Sequence, residues 1–202
     1  PAEQLVEAGH RVCCLDLFGH EASQWLEPDE YSPNNDISSV RAVLRSYSDR
    51  PMLVVGNGWG GHIALHSIKP EYENLIGIYL FDYVNTVQYA VDIVMPLEHS
   101  IADIATTDLE QFERELRQLS GPYGRFGKFV SAIALQRVQE LGNVFKFPVH
   151  AAAFRQFFAD PSRTYSSGAQ LVRQTCPVAI INGRLAEFKN LIHPPKRLDR
   201  IP

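Results

Sequence analysis

The sequence predicts an α/β fold: a mostly parallel sheet with flanking helices and a helical cap. Three observations carry this expectation. Met52–Val55 and Leu75–Phe81 are unbroken apolar runs of strand length, the pattern of strands buried on both faces. Stretches of helical periodicity lie between such runs, and strand–helix alternation implies a parallel sheet with helices on both sides. From Tyr83 to about Gln174 the pattern changes, with good helix signals and no convincing strand. The expected organisation is therefore a core at residues 1–82, a helical cap or lid at 83–174, and a second part of the core at 175–202. An insertion attached near the C-terminal ends of strands is placed to cover a site there.

Each element has its own signal. Ala2–Ala8 reads as the end of an amphipathic helix, stopped by Gly9. Arg11–Leu15 is a short apolar run, expected as a strand. Residues 16–35 hold Gly19, Pro28 and Pro33 and read as loop. Asp36 is the expected N-cap of the next helix, in which Ile37, Val40, Val43, Leu44 and Tyr47 recur near helical spacing. Pro51 opens the strand Met52–Val55, and Gly60–Lys69 reads as a helix ended by Pro70. In the cap, helices are expected at Thr107–Leu119, Phe126–Leu141 and Pro148–Phe158. Phe126, Phe129, Phe154, Phe157 and Phe158 are read as its own core. Pro177–Ile181 returns to strand.

Composition excludes several classes of function. The chain has 202 residues and a formal net charge of −4, with no basic stripe, so nucleic acid is not an expected partner. The apolar stretch Leu75–Val84 is too short to span a bilayer and contains Asp82, so no membrane span is expected. Cys13, Cys14 and Cys176 lack metal-ligand spacing and read as buried thiols of a reducing, cytoplasmic compartment. The seven histidines show no repeated pairing with acids at helical spacing, so neither a metal nor a cofactor is expected.

The most informative segment is Gly56-Asn57-Gly58-Trp59-Gly60, between an apolar strand and a helix. A strand-to-helix turn of the form G-x-S-x-G presents a nucleophilic serine. Here the central position is Gly58, which offers no attacking atom. Two other readings stand beside this one. The segment can be a glycine-rich turn that never carried chemistry. It can also be a dinucleotide fingerprint, although G-x-G-x-G-G departs from G-x-G-x-x-G and lacks the usual acidic residue unless Asp82 supplies it.

Four blocks, in order along almost the whole chain, resemble the α/β-hydrolase family. Gly9-His10-Arg11-Val12 with Leu15-Asp16-Leu17-Phe18-Gly19-His20-Glu21-Ala22-Ser23 is similar to its G-x-R-V…L-D-L-x-G-H-G-x-S segment. Met52–Ala64 is similar to the strand–elbow–helix unit, Leu75–Asp82 to the following strand, and Cys176–Gly183 to the strand after the cap. The resemblance implies that early strands, and a loop supplying one oxyanion amide, would precede Pro1. It implies that a last strand and the catalytic histidine would follow Pro202. The chain is thus expected to be the middle of such a fold, and inactive in isolation.

The resemblance also implies roles. The orienting acid of the family usually follows the strand after the cap, but the turn Gly183-Arg184-Leu185-Ala186-Glu187 has Ala186 at that position. Some members take the acid from the strand before the cap, where Asp82 stands. Asp82 is therefore the candidate catalytic residue, with capping of the chain's exit from the sheet as the plainer role. Gly58 and Trp59 are the candidate binding residues: the Trp59 amide would be an oxyanion donor, and its indole would line the pocket or pack under the cap. His20 stands where the family often has a structural histidine, His62 on the elbow helix can face either way, neither is read as the base, and His66 and His150 read as surface or satisfied core residues. The expected function is binding of a small apolar or aromatic molecule, or chemistry that needs no acyl-enzyme. One resemblance of the second kind is to the cofactor-independent ring-cleaving dioxygenases of this fold, acting on an aromatic heterocycle. An esterase-like hydrolase with its nucleophile elsewhere is the remaining alternative.

Overall fold

The structure is a computed structural model that describes residues 2–81, 100–153, 174 and 176–181. Its centre is a parallel sheet of three strands in the order β1 (Met52–Asn57), β2 (Leu75–Phe81), β6 (Val178–Ile181). The connection from β1 to β2 is the helix α3 (Gly58–Ser67), the crossover a parallel pair requires. The helix α2 (Pro33–Ser46) precedes β1, and a short helix α1 (Ala2–Glu7) opens the described chain.

α2 and α3 pack on one face of the sheet. Ile37, Val40 and Leu44 from α2, Ile63 and Leu65 from α3, and Met52, Leu75, Ile78 and Leu80 from the strands form one buried cluster. The two helices are joined by Arg41, whose Nη2 donates to the carbonyl of His66 at 2.8 Å. That carbonyl belongs to the last turn of α3, where a cation also complements the helix dipole.

Expected covers on the opposite face are not found among the described residues. Leu53 and Val55 remain 52% and 55% exposed, and α1 buries none of its residues. Arg11–Leu15 is likewise not a strand: it is exposed and irregular. A strand exists only through a ladder, and among the described residues no chain lies beside this run. Cys13 and Cys14, expected as buried thiols, are exposed as a consequence.

The N-cap of α2 is Ser32, not Asp36. Ser32 is extended (φ −155, ψ 150), its Oγ accepts from the Asn35 amide at 3.2 Å, and Pro33 takes the first helical position. The hydroxyl one residue before a proline outcompetes the carboxylate four residues later. Asp36 is thereby carried into the first turn and buried.

Residues 100–153 form a second cluster. α4 (Leu109–Ser120) is capped by Asp108, which accepts from the Glu110 amide at 3.0 Å. α5 (Gly124–Arg137) follows through a single 3₁₀ turn. Phe112 and Leu116, one turn apart on α4, are fully buried against Ile101, Ile104 and Ala134. Three short strands, β3 (Ala105–Thr106), β4 (Gln139–Leu141) and β5 (Val144–Lys146), make a small antiparallel sheet in the order β3-β5-β4. This corrects the strand-free reading of the region and ends α5 four residues before the expected Leu141. The β4–β5 turn carries Gly142 at φ +69, a left-handed position glycine accepts. Phe129, expected in this core, is 64% exposed. Residues 151–153 are helical; Phe154, Phe157 and Phe158 lie outside the described residues.

Candidate active-site elbow

β1 ends and α3 begins without an intervening residue. Asn57 is extended (φ −118, ψ 136), and the next residue, Gly58, has φ +48. A left-handed residue between strand and helix turns the chain sharply, and glycine adopts it without the penalty a Cβ brings. A Cβ built on Gly58 would meet nothing within 4 Å. Among the described residues the corner therefore leaves position 58 facing open space, as a turn that presents a side chain must.

The crossing itself is fixed by Gly56. A Cβ there would lie 2.6 Å from the Gly61 Cα and 2.8 Å from the Gly61 nitrogen. Strand and helix backbones touch at this point, which is why small residues stand on both. Asn57 makes no side-chain cap bond, so it does not satisfy the first-turn amides of α3, the Trp59 amide among them. The Trp59 indole is half-buried and stacks on the His62 ring, with centroids 5.9 Å apart and planes at 27°. It also packs against the main core.

Asn57 pairs in register with Phe81, the last residue of β2. Asp82 follows Phe81 in sequence and lies outside the described residues, as does the turn from Gly183 to Glu187. The elbow is thus described with its glycine and its tryptophan, but without its candidate acid.

His66 is buried on α3, and burial, then the neighbouring His62 and Arg41, push its pKa down to about 4. The His20 Nδ1 lies 3.0 Å from the Phe18 carbonyl, and burial lowers its pKa. Among the described residues no group of three or more metal-ligating side chains forms a cation site, and no helix is long and apolar enough to cross a membrane.

Two features escaped the sequence reading. Asp36 is only 4% exposed, and its Oδ1 accepts from the Phe18 amide at 3.3 Å. Burial pushes its carboxyl up to about 6, against the opposing pull of that amide. Beside it, a concavity of about 350 Å³ opens between the 18–26 loop and α2, lined by Phe18, Leu26, Glu30, Asn35, Ser38 and Ser39. Gly58 and Trp59 do not line it. The second feature is Glu21, the non-glycine residue with positive φ (+45) among those described. Its signal was in the sequence: it stands where the G-H-G-x-S pattern has its second glycine.

A parallel sheet with a crossover helix and a left-handed corner between β1 and that helix is the arrangement of the α/β-hydrolase fold. The sequence pattern of the Alpha/beta hydrolase family matches residues 3–197, and the chain belongs to that family. An AB hydrolase superfamily protein of Bacillus subtilis is 36% identical over 78 residues, 37% of this chain and 27% of that protein. The lipase LipV of Mycobacterium tuberculosis is 31% identical over 71 residues, 35% of this chain and 26% of the lipase. The matched stretch spans about a quarter of the length of each curated relative. Among solved structures, an α/β hydrolase from Novosphingobium aromaticivorans superposes with a TM-score of 0.64 at 13% identity, covering 90% of this chain and 76% of that one. A serine-to-glycine variant of the N-acyl homoserine lactonase AidH, complexed with N-hexanoyl homoserine lactone, superposes with a TM-score of 0.52 at 18% identity, covering 84% and 59%. These structural likenesses show the fold.

Proposed function

We propose that this protein binds a small apolar or aromatic molecule at the elbow, beneath the segment 83–174 acting as a cap, and forms no acyl-enzyme at residue 58. One observation carries the reading: position 58 occupies a sharp left-handed corner that faces open space and bears a glycine. Serine hydrolysis needs an oxygen nucleophile at such a corner, a base to take its proton, and amides to hold the oxyanion. The first of these has no atom here. The amides of a helix start remain suited to a carbonyl or carboxylate oxygen, which gives Trp59 a binding role. The lactonase variant with glycine for serine supports the reading, because a glycine-substituted protein of this fold is seen there with a lactone.

A second reading rests on Asp82. Asp82 follows in sequence the strand that pairs with β1, the position from which some members of the family take the acid that orients the histidine. Such a pair would deprotonate an aromatic heterocycle, as a cofactor-independent dioxygenase requires, without any nucleophile at 58. No resident metal or cofactor enters either reading. The three free cysteines fit a reducing, cytoplasmic compartment.

The test uses the full-length protein with p-nitrophenyl butyrate and with N-hexanoyl homoserine lactone. Calorimetric binding with recovery of intact ligand is the expected result. A burst of p-nitrophenol stoichiometric with protein, and an acyl group located on any side chain by mass spectrometry, would overturn the proposal and favour an esterase with its nucleophile elsewhere. Oxygen uptake with an aromatic heterocycle, lost in Asp82→Ala, would select the second reading.

A further inference from the structure

Glu21 holds an uncommon position with every polar group engaged. Its backbone is left-handed, a conformation a few per cent of non-glycine residues adopt. Its amide donates to the Pro148 carbonyl at 2.8 Å. Its own carbonyl accepts from Trp25 Nε1 at 3.3 Å. Its carboxylate takes Arg137 Nε at 2.7 Å, a second bond from Arg137 Nη2, and Gln139 Nε2 at 2.9 Å. Arg137 ends α5 and Gln139 begins β4, so one side chain of the 18–26 loop grips the far cluster at two elements.

The surrounding contacts form a seam between the same two stretches. The His150 amide donates to the Gly19 carbonyl at 2.7 Å, and His20 forms a bridge with Val149. The His150 ring lies 5.5 Å from Trp25 and 5.2 Å from Tyr31. Lys146 Nζ sits 4.4 Å above the Trp25 ring. Phe18 and Leu26, on either side of Glu21 in the loop, are walls of the 350 Å³ concavity.

We propose that Glu21 is an electrostatic latch: its carboxylate, through Arg137 and Gln139, holds the 137–150 segment closed on the 18–26 loop and so sets the shape of that concavity. Glycine at this position would relieve the backbone but leave Arg137 and Gln139 without their acceptor. The latch is independent of whether residue 58 takes part in chemistry. It is ionic and partly solvent-facing, so salt weakens it.

The experiment is residue-resolved hydrogen–deuterium exchange on the full-length protein, comparing wild type with Glu21→Gly, Arg137→Met and the double variant. At low salt the His150 amide is expected to exchange roughly tenfold faster in each single variant. The double variant should be no faster than the singles, and about 0.5 M salt should bring the wild type toward them. Amides of α3 should not change, and Glu21→Gly should leave the global unfolding midpoint equal or higher. Unchanged His150 exchange in Arg137→Met, or effects of the two substitutions that simply add, would overturn the latch. Should Glu21→Gly fail to fold, Arg137→Met decides alone, because it leaves the loop backbone untouched.

Discussion

Gly56 and Gly61 meet so closely that a methyl group on the first would lie 2.6 Å from the Cα of the second, with the Gly60 carbonyl at 2.9 Å. Every obstructing atom is backbone, so no side chain can swing aside. Gly56→Ala must therefore move α3 off β1, and with it Ile63 and Leu65 of the main core. The expected loss is about 3 kcal/mol of stability, read as a lowered urea midpoint. Gly60→Ala, whose Cβ would meet nothing within 4 Å, is expected to cost far less and serves as the control.

Gly58→Ser should fold. The side chain has room, and the cost is that of a left-handed non-glycine residue, roughly 1 kcal/mol. A midpoint drop as large as that of Gly56→Ala would mean that the space above residue 58 is not open. The variant also restores an oxygen at the corner, so gain of p-nitrophenyl ester turnover in the full-length protein would show that the remaining machinery is intact.

What was legible in the sequence follows from how local each cause is. β1, β2 and β6 were legible because each carries an unbroken apolar run of strand length, although the expected burial of both faces is not met among the described residues. The inward face of α2 was legible for the same reason, with Ile37, Val40 and Leu44 buried at helical spacing. The corner at Gly58 was legible because its glycines answer to backbone contacts a few residues away. Arg11–Leu15 was misread because a strand depends on a neighbour the run itself cannot reveal. β3, β4 and β5, two or three residues each, are too short to show a period of two. Asp36 was misplaced because Ser32 and Pro33 together make a better helix start. Glu21 and Arg137 lie 116 residues apart, and no local pattern joins them. Of the candidate site, Gly58 and Trp59 stand at the elbow as the sequence suggested, while Asp82 falls outside the described residues.

Gly127 repeats the logic of Gly56 in the second cluster. A Cβ on Gly127 would fall 1.9 Å from the Ser120 carbonyl oxygen, where α5 turns back over the end of α4. Nearby, Ser131 Oγ donates to Ser120 Oγ at 2.6 Å in a buried pair. Gly127→Ala is expected to separate the two helices, break that pair and expose Phe112 and Leu116. Faster proteolysis within residues 109–137, with α2 and α3 still protected, is the expected pattern. Uniform protection across the chain would contradict it.

Asp36 and His66 oppose each other in the acid response, and His20, lowered by burial, acts in the same direction as His66. The Asp36 carboxyl, raised by burial to about 6 from an ordinary 3.8, binds its proton more readily folded than unfolded. Its contribution therefore favours the fold below pH 3.8 and is lost as pH rises toward 6. The His66 ring, lowered to about 4 from 6.5 by burial, His62 and Arg41, does the reverse. Its contribution is present above pH 6.5 and is lost as pH falls toward 4. Solvent screening reduces both shifts, which leaves about 3 kcal/mol as the ceiling for Asp36 and less for His66. Between pH 4 and 6 the two slopes offset each other, and the wild type should show a shallow stability profile. Asp36→Asn keeps a carbonyl oxygen for the Phe18 amide and removes one slope. It is expected to be more stable than wild type at pH 7, by up to about 3 kcal/mol, to match it near pH 4, and to fall steeply in between. Urea midpoints at half-unit pH steps measure this directly. A variant curve parallel to that of the wild type would show that folding does not raise the Asp36 carboxyl.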